Sequence, residues 1–261
     1  MKSIFADPRE IPEGKTGLFS LGPLQIRVRR QNHDWLTLAK RDPEADHPSS
    51  FILSDETSSH DDTWTRYAFR EEEEGVSLIP AFPDRSLVVR PKSPLQLPPK
   101  NKVTFYVSIP LWVRLQFGEK TPVTVENLPT VILSNTWFGL PTEGELCYAL
   151  KTSAVRDLSL AQKGDHRAIC PLTVKNESEE VFPITKLSLP TNYLGLYQGT
   201  TRWWTNPMEI LHLGPNRPGT LRPLNTPPSY EQCGKQLLPP VKKPKEDLVH
   251  RTFSGFRSLF Y

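Results

Sequence analysis

Apolar side chains occupy every second position from residue 103 to residue 117: Val103, Phe105, Val107, Ile109, Leu111, Val113, Leu115 and Phe117. Successive side chains of a strand point to opposite faces, so this run predicts a buried strand face. The other face carries Thr104, Tyr106, Ser108, Pro110, Trp112, Arg114 and Gln116. Pro110 cannot donate a ladder hydrogen bond, which makes it an edge position, a bulge or a break. The stretch therefore reads as two strands meeting at a bend.

The same pattern recurs in shorter pieces. Residues 18–21, 24–30 and 35–39 read as three strands with turns at Gly22-Pro23 and at 31–34, and residues 86–89 and 95–97 are extended segments between prolines. Residues 64–70 and 76–79 are expected to form a hairpin across the glutamate run at 71–74. Further strands are predicted at 123–125, 131–133 and 145–150, with an aromatic turn at Trp137-Phe138-Gly139-Leu140-Pro141. Residues 155–162 are the best helix candidate in the body. A second series follows at 170–174, 182–189, 193–197, 202–205 and 209–213. The 27 prolines outnumber the 14 glycines, which disfavours long helices and favours interrupted strands joined by stiff corners.

The expected fold is thus all-β: immunoglobulin-like β-sandwich units with proline-rich corners and a short C-terminal helix. A length of 261 residues with 37% hydrophobic content suffices for one large β domain or two small sandwiches. The expected division is an N-terminal β domain over 1–165, a second β unit over 166–213 that completes the same sandwich or forms its own, a proline-rich linker over 214–244, and an amphipathic helix over 245–261.

The net charge of +3 is too small to imply a nucleic-acid partner. Residues 215–261 hold eight basic and three acidic side chains, so this tail carries +5 and the body −2. Cys147, Cys170 and Cys233 form no close pair, and the start becomes charged before any apolar run. Reduced cysteines in the cytoplasm are the expectation, and the Asn176-Glu177-Ser178 sequon then has no glycosylation role. No apolar run approaches the roughly 20 residues of a spanning helix.

Motifs for catalysis are missing. The sequence contains no GxSxG, GxxxxGK, HExxH or CxxC, and its six histidines are scattered. His47 and His60 lie among carboxylates in a polar stretch, 42–62, but without the spacing that fixes a metal, so a solvated loop is expected. Cys170 and His166 are near in sequence, and a structural cysteine is the favoured reading. No catalytic residue, metal ligand or cofactor is expected, and a hydrolase or metal-dependent enzyme ranks last.

Two features suggest binding. Val249, Phe253, Phe256 and Phe260 recur at helical spacing with Arg257 alongside, a hook for a partner groove, an anionic membrane surface or the protein's own sheet. Trp112, Trp137 and one of the adjacent Trp203 and Trp204 form either an exposed aromatic patch or a second buried face.

The segments DRSLVVRPKSPLQLPP, SIPLWVRL, NTWFGLPTEGELCYAL and CPLTVKNES, within residues 84–213, resemble the family called domain of unknown function 432, found in archaea and some bacteria. The resemblance carries no catalytic or ligand residue. Members can be encoded beside small mechanosensitive-channel proteins, so the resemblance implies a membrane-protein partner. The expected function is a non-catalytic interaction or assembly module with a protein partner, accessory to a membrane protein such as a mechanosensitive channel, with peripheral membrane contact through its C-terminal segment. The alternative is a small-ligand or carbohydrate-binding protein that uses exposed tryptophans.

Overall fold

The computed structural model describes residues 4–5, 8–55, 63–70, 74–214, 219–243 and 248–249. Its strands, in chain order, begin with β1 (Thr16–Gly22), β2 (Leu24–Gln31), β3 (Asp34–Arg41), β4 (His47–Ser54), β5 (Thr65–Ala68) and β6 (Val76–Ala81). Next come β7 (Leu87–Val89), β8 (Leu95–Leu97), β9 (Lys102–Pro110), β10 (Trp112–Phe117), β11 (Val123–Pro129), β12 (Ser134–Phe138) and β13 (Glu145–Ala149). The series continues with β14 (Arg167–Asn176), β15 (Phe182–Ile184), β16 (Leu187–Leu189), β17 (Leu196–Gly199), β18 (Trp203–Thr205) and β19 (Met208–His212). It closes with β20 (Thr220–Pro223), β21 (Cys233–Leu238) and β22 (Leu248–Val249). The described residues are all-β, relieved only by 3-10 turns at Leu158–Leu160 and Thr191–Tyr193.

The chain divides into two interleaved units. Unit 1 comprises Met1–Ala81, Pro110–Ile132 and Gly164–His166; unit 2 comprises Phe82–Ile109, Leu133–Lys163 and Arg167–Tyr261. Pro110 marks one of the crossings. The alternating run does break there, into β9 and β10, and the two halves join different sheets.

Unit 1 pairs its strands in the order β4-β1-β2-β3-β5 in one sheet and β11-β10-β6 in another. Alternation explains the first: Leu24, Ile26 and Val28 are buried while the residues between them are half-exposed. Trp35 of β3 stacks on Phe117 of β10 with centroids 4.8 Å apart, which packs the inner faces of the two sheets together. The glutamate run does not close a hairpin, because β5 pairs with β3 and β6 with β10. Nor is the stretch after residue 42 a loop throughout. His47–Ser54 is an edge strand on β1, and its burial follows no clean alternation, which is why its sequence does not announce it.

In unit 2 the order β21-β17-β18-β14-β19-β20-β22 forms the large sheet, to which β9 is added through β14. A second sheet runs β12-β13-β7-β16, and β15 pairs with β8. Leu87 and Val89 of β7, Leu187 and Leu189 of β16, Phe105 and Val107 of β9, and Leu172 and Val174 of β14 meet in one buried cluster, a sandwich core. Three pairs, β7 with β13, β14 with β18 and β14 with β19, are parallel; an immunoglobulin sheet, by contrast, is antiparallel.

The expected boundaries change accordingly. The division at 165 gives way to interleaved segments, because strands distant in sequence complete each sheet. The segment expected to be a linker supplies β20, which pairs with β19, and β21, which pairs with β17. Its prolines sit at strand ends and in the connection: Pro223 ends β20, Pro227 and Pro228 lie between strands, and Pro239 and Pro240 follow β21. They bracket strands rather than exclude them. The helix expected at 155–162 reduces to the turn Leu158–Leu160, because Val155 is engaged by Tyr106 through two backbone hydrogen bonds. Of the C-terminal helix, Leu248 and Val249 are instead extended and pair with Leu221 and Thr220; Phe253, Phe256, Arg257 and Phe260 lie outside the described residues.

Candidate functional site

Two of the four tryptophans of the proposed aromatic patch are buried. Trp203 and Trp204 are each about 1% exposed, so both faces of β18 are covered where only one was expected to be. Trp112 is half-buried on β10. Trp137, in β12, is 48% exposed.

Trp137 sits in a constructed setting. Its neighbour across the ladder is Leu146 of β13, 47% exposed, and Leu140 in the following turn is 43% exposed. The indole Nε1–H donates to the Leu140 carbonyl at 2.9 Å. The ring also lies close against Gly144, where a Cβ would come within 2.3 Å of Nε1. Gly139, at φ +115°, allows that turn to close, with its own missing Cβ 2.7 Å from the Gly144 Cα. An exposed ring held this way loses little freedom when something packs on it.

Alternation places Trp137 and Leu146 on the side of the sheet that carries Tyr148 and, next to it, Leu87 of the core. The core face of the sheet therefore runs out to its edge and stays partly uncovered there. β12 is an outer strand, bonded to β13 on one side and to no other strand among the described residues on the other. Its sequence, Ser-Asn-Thr-Trp-Phe, contains no charge and no proline, the usual guards of a free edge. Asn135 accepts from Arg85 Nη1 at 3.0 Å, and Arg85 lies over the Tyr148 ring, so a polar margin adjoins the apolar patch.

The thiols offer no nucleophile. Burial pushes Cys170 up to about 12, and burial with the nearby Glu145 pushes Cys147 to about 12; burial and then Glu231 raise Cys233 as well. All three stay protonated at neutral pH. Among the described residues no group of three or more His, Cys, Asp or Glu is placed to hold a metal ion. His47 lies on β4, and His60 falls outside the described residues. No helix among them is long and apolar enough to cross a membrane.

A second arrangement lies in the former linker. Glu231 Oε1 accepts from the Trp204 indole at 2.7 Å, and Oε2 accepts from the Thr201 hydroxyl at 2.8 Å. Tyr230 stacks on Trp204 at 5.6 Å and meets Tyr106 edge-on at 5.2 Å. The carboxylate fills the notch over Gly199, where a Cβ would lie 1.7 Å from Oε1. Burial alone would raise the Glu231 pKa, but the bonds from Trp204 and Thr201 and the charge of Arg202 outweigh it and hold the group below the usual range. A depressed pKa stabilises the fold above the unfolded carboxylate value, and that contribution is lost as pH falls through the folded value. The Trp204 indole N–H resonance is expected to titrate with a midpoint below an ordinary glutamate, and Glu231→Gln to abolish the titration. A midpoint at or above the ordinary value contradicts this clasp.

A family model described as "Protein of unknown function (DUF432)" matches residues 7–258. The chain belongs to this family. The match takes in the tail beyond residue 213, where the resemblance seen in the sequence stopped, and so includes β20, β21 and Glu231 in the DUF432 unit. No curated protein and no solved structure matches the chain.

Sequence reasoning named Trp137 but missed Leu140 and Leu146. Leu146, Tyr148 and Leu150 alternate as a core face should, and nothing local says where the cover over that face ends. Glu231 and Tyr230 were hidden by the prolines around them.

Proposed function

We propose that this DUF432 protein is a non-catalytic β-sandwich interaction module, acting in the cytoplasm, that takes a protein partner's extended segment onto the free edge of β12. The observation that carries the reading is the immobilised, half-exposed Trp137 beside Leu140 and Leu146 on an uncharged edge strand. Strand addition draws affinity from main-chain hydrogen bonds and specificity from side-chain pockets, and a rigid tryptophan is a common anchor. A membrane-protein partner, such as a mechanosensitive channel, fits the same reading. The remaining hook residues, Phe253, Phe256, Arg257 and Phe260, are a second contact in it.

Affinity purification with the full chain supplies partner candidates, and each is then retested as a purified protein. Trp137→Ala and Leu146→Lys are both surface changes, expected to leave thermal unfolding intact and to weaken direct binding at least tenfold. Gly144→Ala, which displaces the indole without removing it, is expected to weaken binding as well. Unchanged binding by all three variants removes β12 from consideration. The carbohydrate reading has less support, because Trp203 and Trp204 are buried; a change in tryptophan fluorescence on adding sugars would revive it.

A further inference from the structure

Unit 2 contains a cleft of about 220 Å³, lined by Lys92, Phe105, Ala154, Val155, Arg156, Asp157 and Leu160 among others. Its walls are stitched in place. The Lys92 N–H donates to the Ala154 carbonyl at 2.9 Å and the Ala154 N–H to the Arg90 carbonyl at 2.8 Å, while Val155 exchanges hydrogen bonds with Tyr106 on its other side. Asp157 then caps the turn Leu158–Leu160 by accepting from the Ser159 N–H at 2.8 Å. That turn holds Leu160 up beside the cleft, 59% exposed.

The floor is apolar, formed by Phe105, Ala154 and Val155, all buried. Such a surface gives water few partners, and the volume is that of roughly seven water molecules. It is a little below the usual range for small-molecule sites, which suits a short chain rather than a ring system.

Charge selects the other half of the ligand. Lys92 and Arg156 are both exposed, and both line the cleft, one from each of the two segments that the Pro91–Ala154 bridge joins. Neither forms a side-chain ion pair among the described residues. The one acid present, Asp157, is committed to its cap. The cleft thus joins an apolar slot to two cations against one anion.

We infer that this cleft binds an aliphatic anion, its chain on Phe105 and beneath Leu160 and its charged head drawn by Lys92 and Arg156. The same chemistry is offered by a free acid and by the acyl chain and head of an anionic lipid. The site goes beyond the strand-addition reading and shares no residue with it, so either stands if the other fails.

Octanoate titrated into the full chain tests the site, with octan-1-ol and octylammonium as comparison probes and amide spectra to locate binding. Octanoate is expected to shift the amides of Lys92, Ala154 and Leu160 and to bind at least tenfold more tightly than octylammonium. The exposed double variant Lys92→Glu/Arg156→Glu is expected to lose at least tenfold in affinity, and Leu160→Glu to lose binding while folding normally. Phosphatidylglycerol vesicles separate the sources. If they retain the wild type, release the double variant and are displaced by octanoate, the ligand is a lipid; octanoate binding without vesicle binding makes it a free acid. Octanol binding as tightly as octanoate, octanoate binding unchanged in the double variant, or no octanoate shift at these amides overturns the inference.

Discussion

Gly22→Ala is expected to destabilise unit 1 by about 3–5 kcal/mol, a large part of the roughly 5–15 kcal/mol that holds a domain folded. Leu21 faces Leu24 across Gly22-Pro23, and Gly22 has φ +56°. A first central residue with positive φ is the glycine position of a tight hairpin turn. Alanine there costs about 1–2 kcal/mol from backbone sterics alone. Most of the loss comes from a collision, because the new Cβ would stand 2.2 Å from Nδ1 and 2.4 Å from Cγ of His166. That ring is buried. Gly164 meets it as well, with a missing Cβ 2.8 Å from Cε1, and Asp46 Oδ1 lies 3.3 Å from Nδ1. The measurement is the denaturant midpoint of Gly22→Ala in the wild-type and His166→Ala backgrounds. The cost is expected to fall to the backbone share, about 1–2 kcal/mol, once the ring is gone. Equal costs in the two backgrounds would show that His166 is not what the glycine accommodates.

Asn176→Asp is expected to be the most damaging isosteric change in unit 2. Asn176 is buried, and its Nδ2 donates to the carbonyls of Leu97, Pro98 and Glu180 at 2.9, 3.1 and 2.7 Å. Its Oδ1 accepts from the N–H and the hydroxyl of Ser178 at 3.1 and 2.7 Å. One side chain thereby joins the end of β8, the end of β14 and the turn that follows. An aspartate would aim an oxygen at three carbonyl oxygens, so its ionised form is disfavoured and its folded pKa lies above its unfolded one. The sign follows. The variant's penalty appears as pH rises above the unfolded carboxylate value and grows by about 1.4 kcal/mol per pH unit until the folded pKa is reached. Asn176→Ala, which strands the same partners without adding charge, is expected to cost about 3 kcal/mol or more, at 1–3 kcal/mol per buried group left unpaired, with no such pH dependence. Denaturation from pH 4 to pH 8 distinguishes the two; parallel profiles would refute the charge argument. Asn176, the first residue of the Asn176-Glu177-Ser178 sequon, is thus buried in the folded chain.

Local pattern was readable wherever one face of a strand is buried and the other is not. The strands at 24–30, 86–89, 95–97 and 145–150 appear within a residue or two of their expected places, as does the break at Pro110, because period-two alternation and proline geometry are properties of the local chain. Partner choice was not readable. The run from Trp64 to Ile79 looks like a hairpin because adjacent strands often pair, yet β5 and β6 join different sheets.

The candidate site was half visible. An aromatic in a glycine turn marked Trp137, whereas the exposure of Leu146 depends on how far the facing layer extends. Composition misled at 214–244, where the proline count suggested a tether; the prolines stand between strands, and whether the short runs between them find a sheet depends on free edges at β17 and β19.

By itself, then, the amino-acid sequence determined the all-β class, most strand positions and the bend at Pro110, since these follow from side-chain periodicity and backbone geometry over a few residues. Tertiary structure alone decided the interleaving of the two units, the burial of both Trp203 and Trp204, the clasp at Glu231 and the uncovered edge at Trp137. Each of these depends on which distant strands meet, and contacts between residues far apart in sequence leave no periodic trace along the chain.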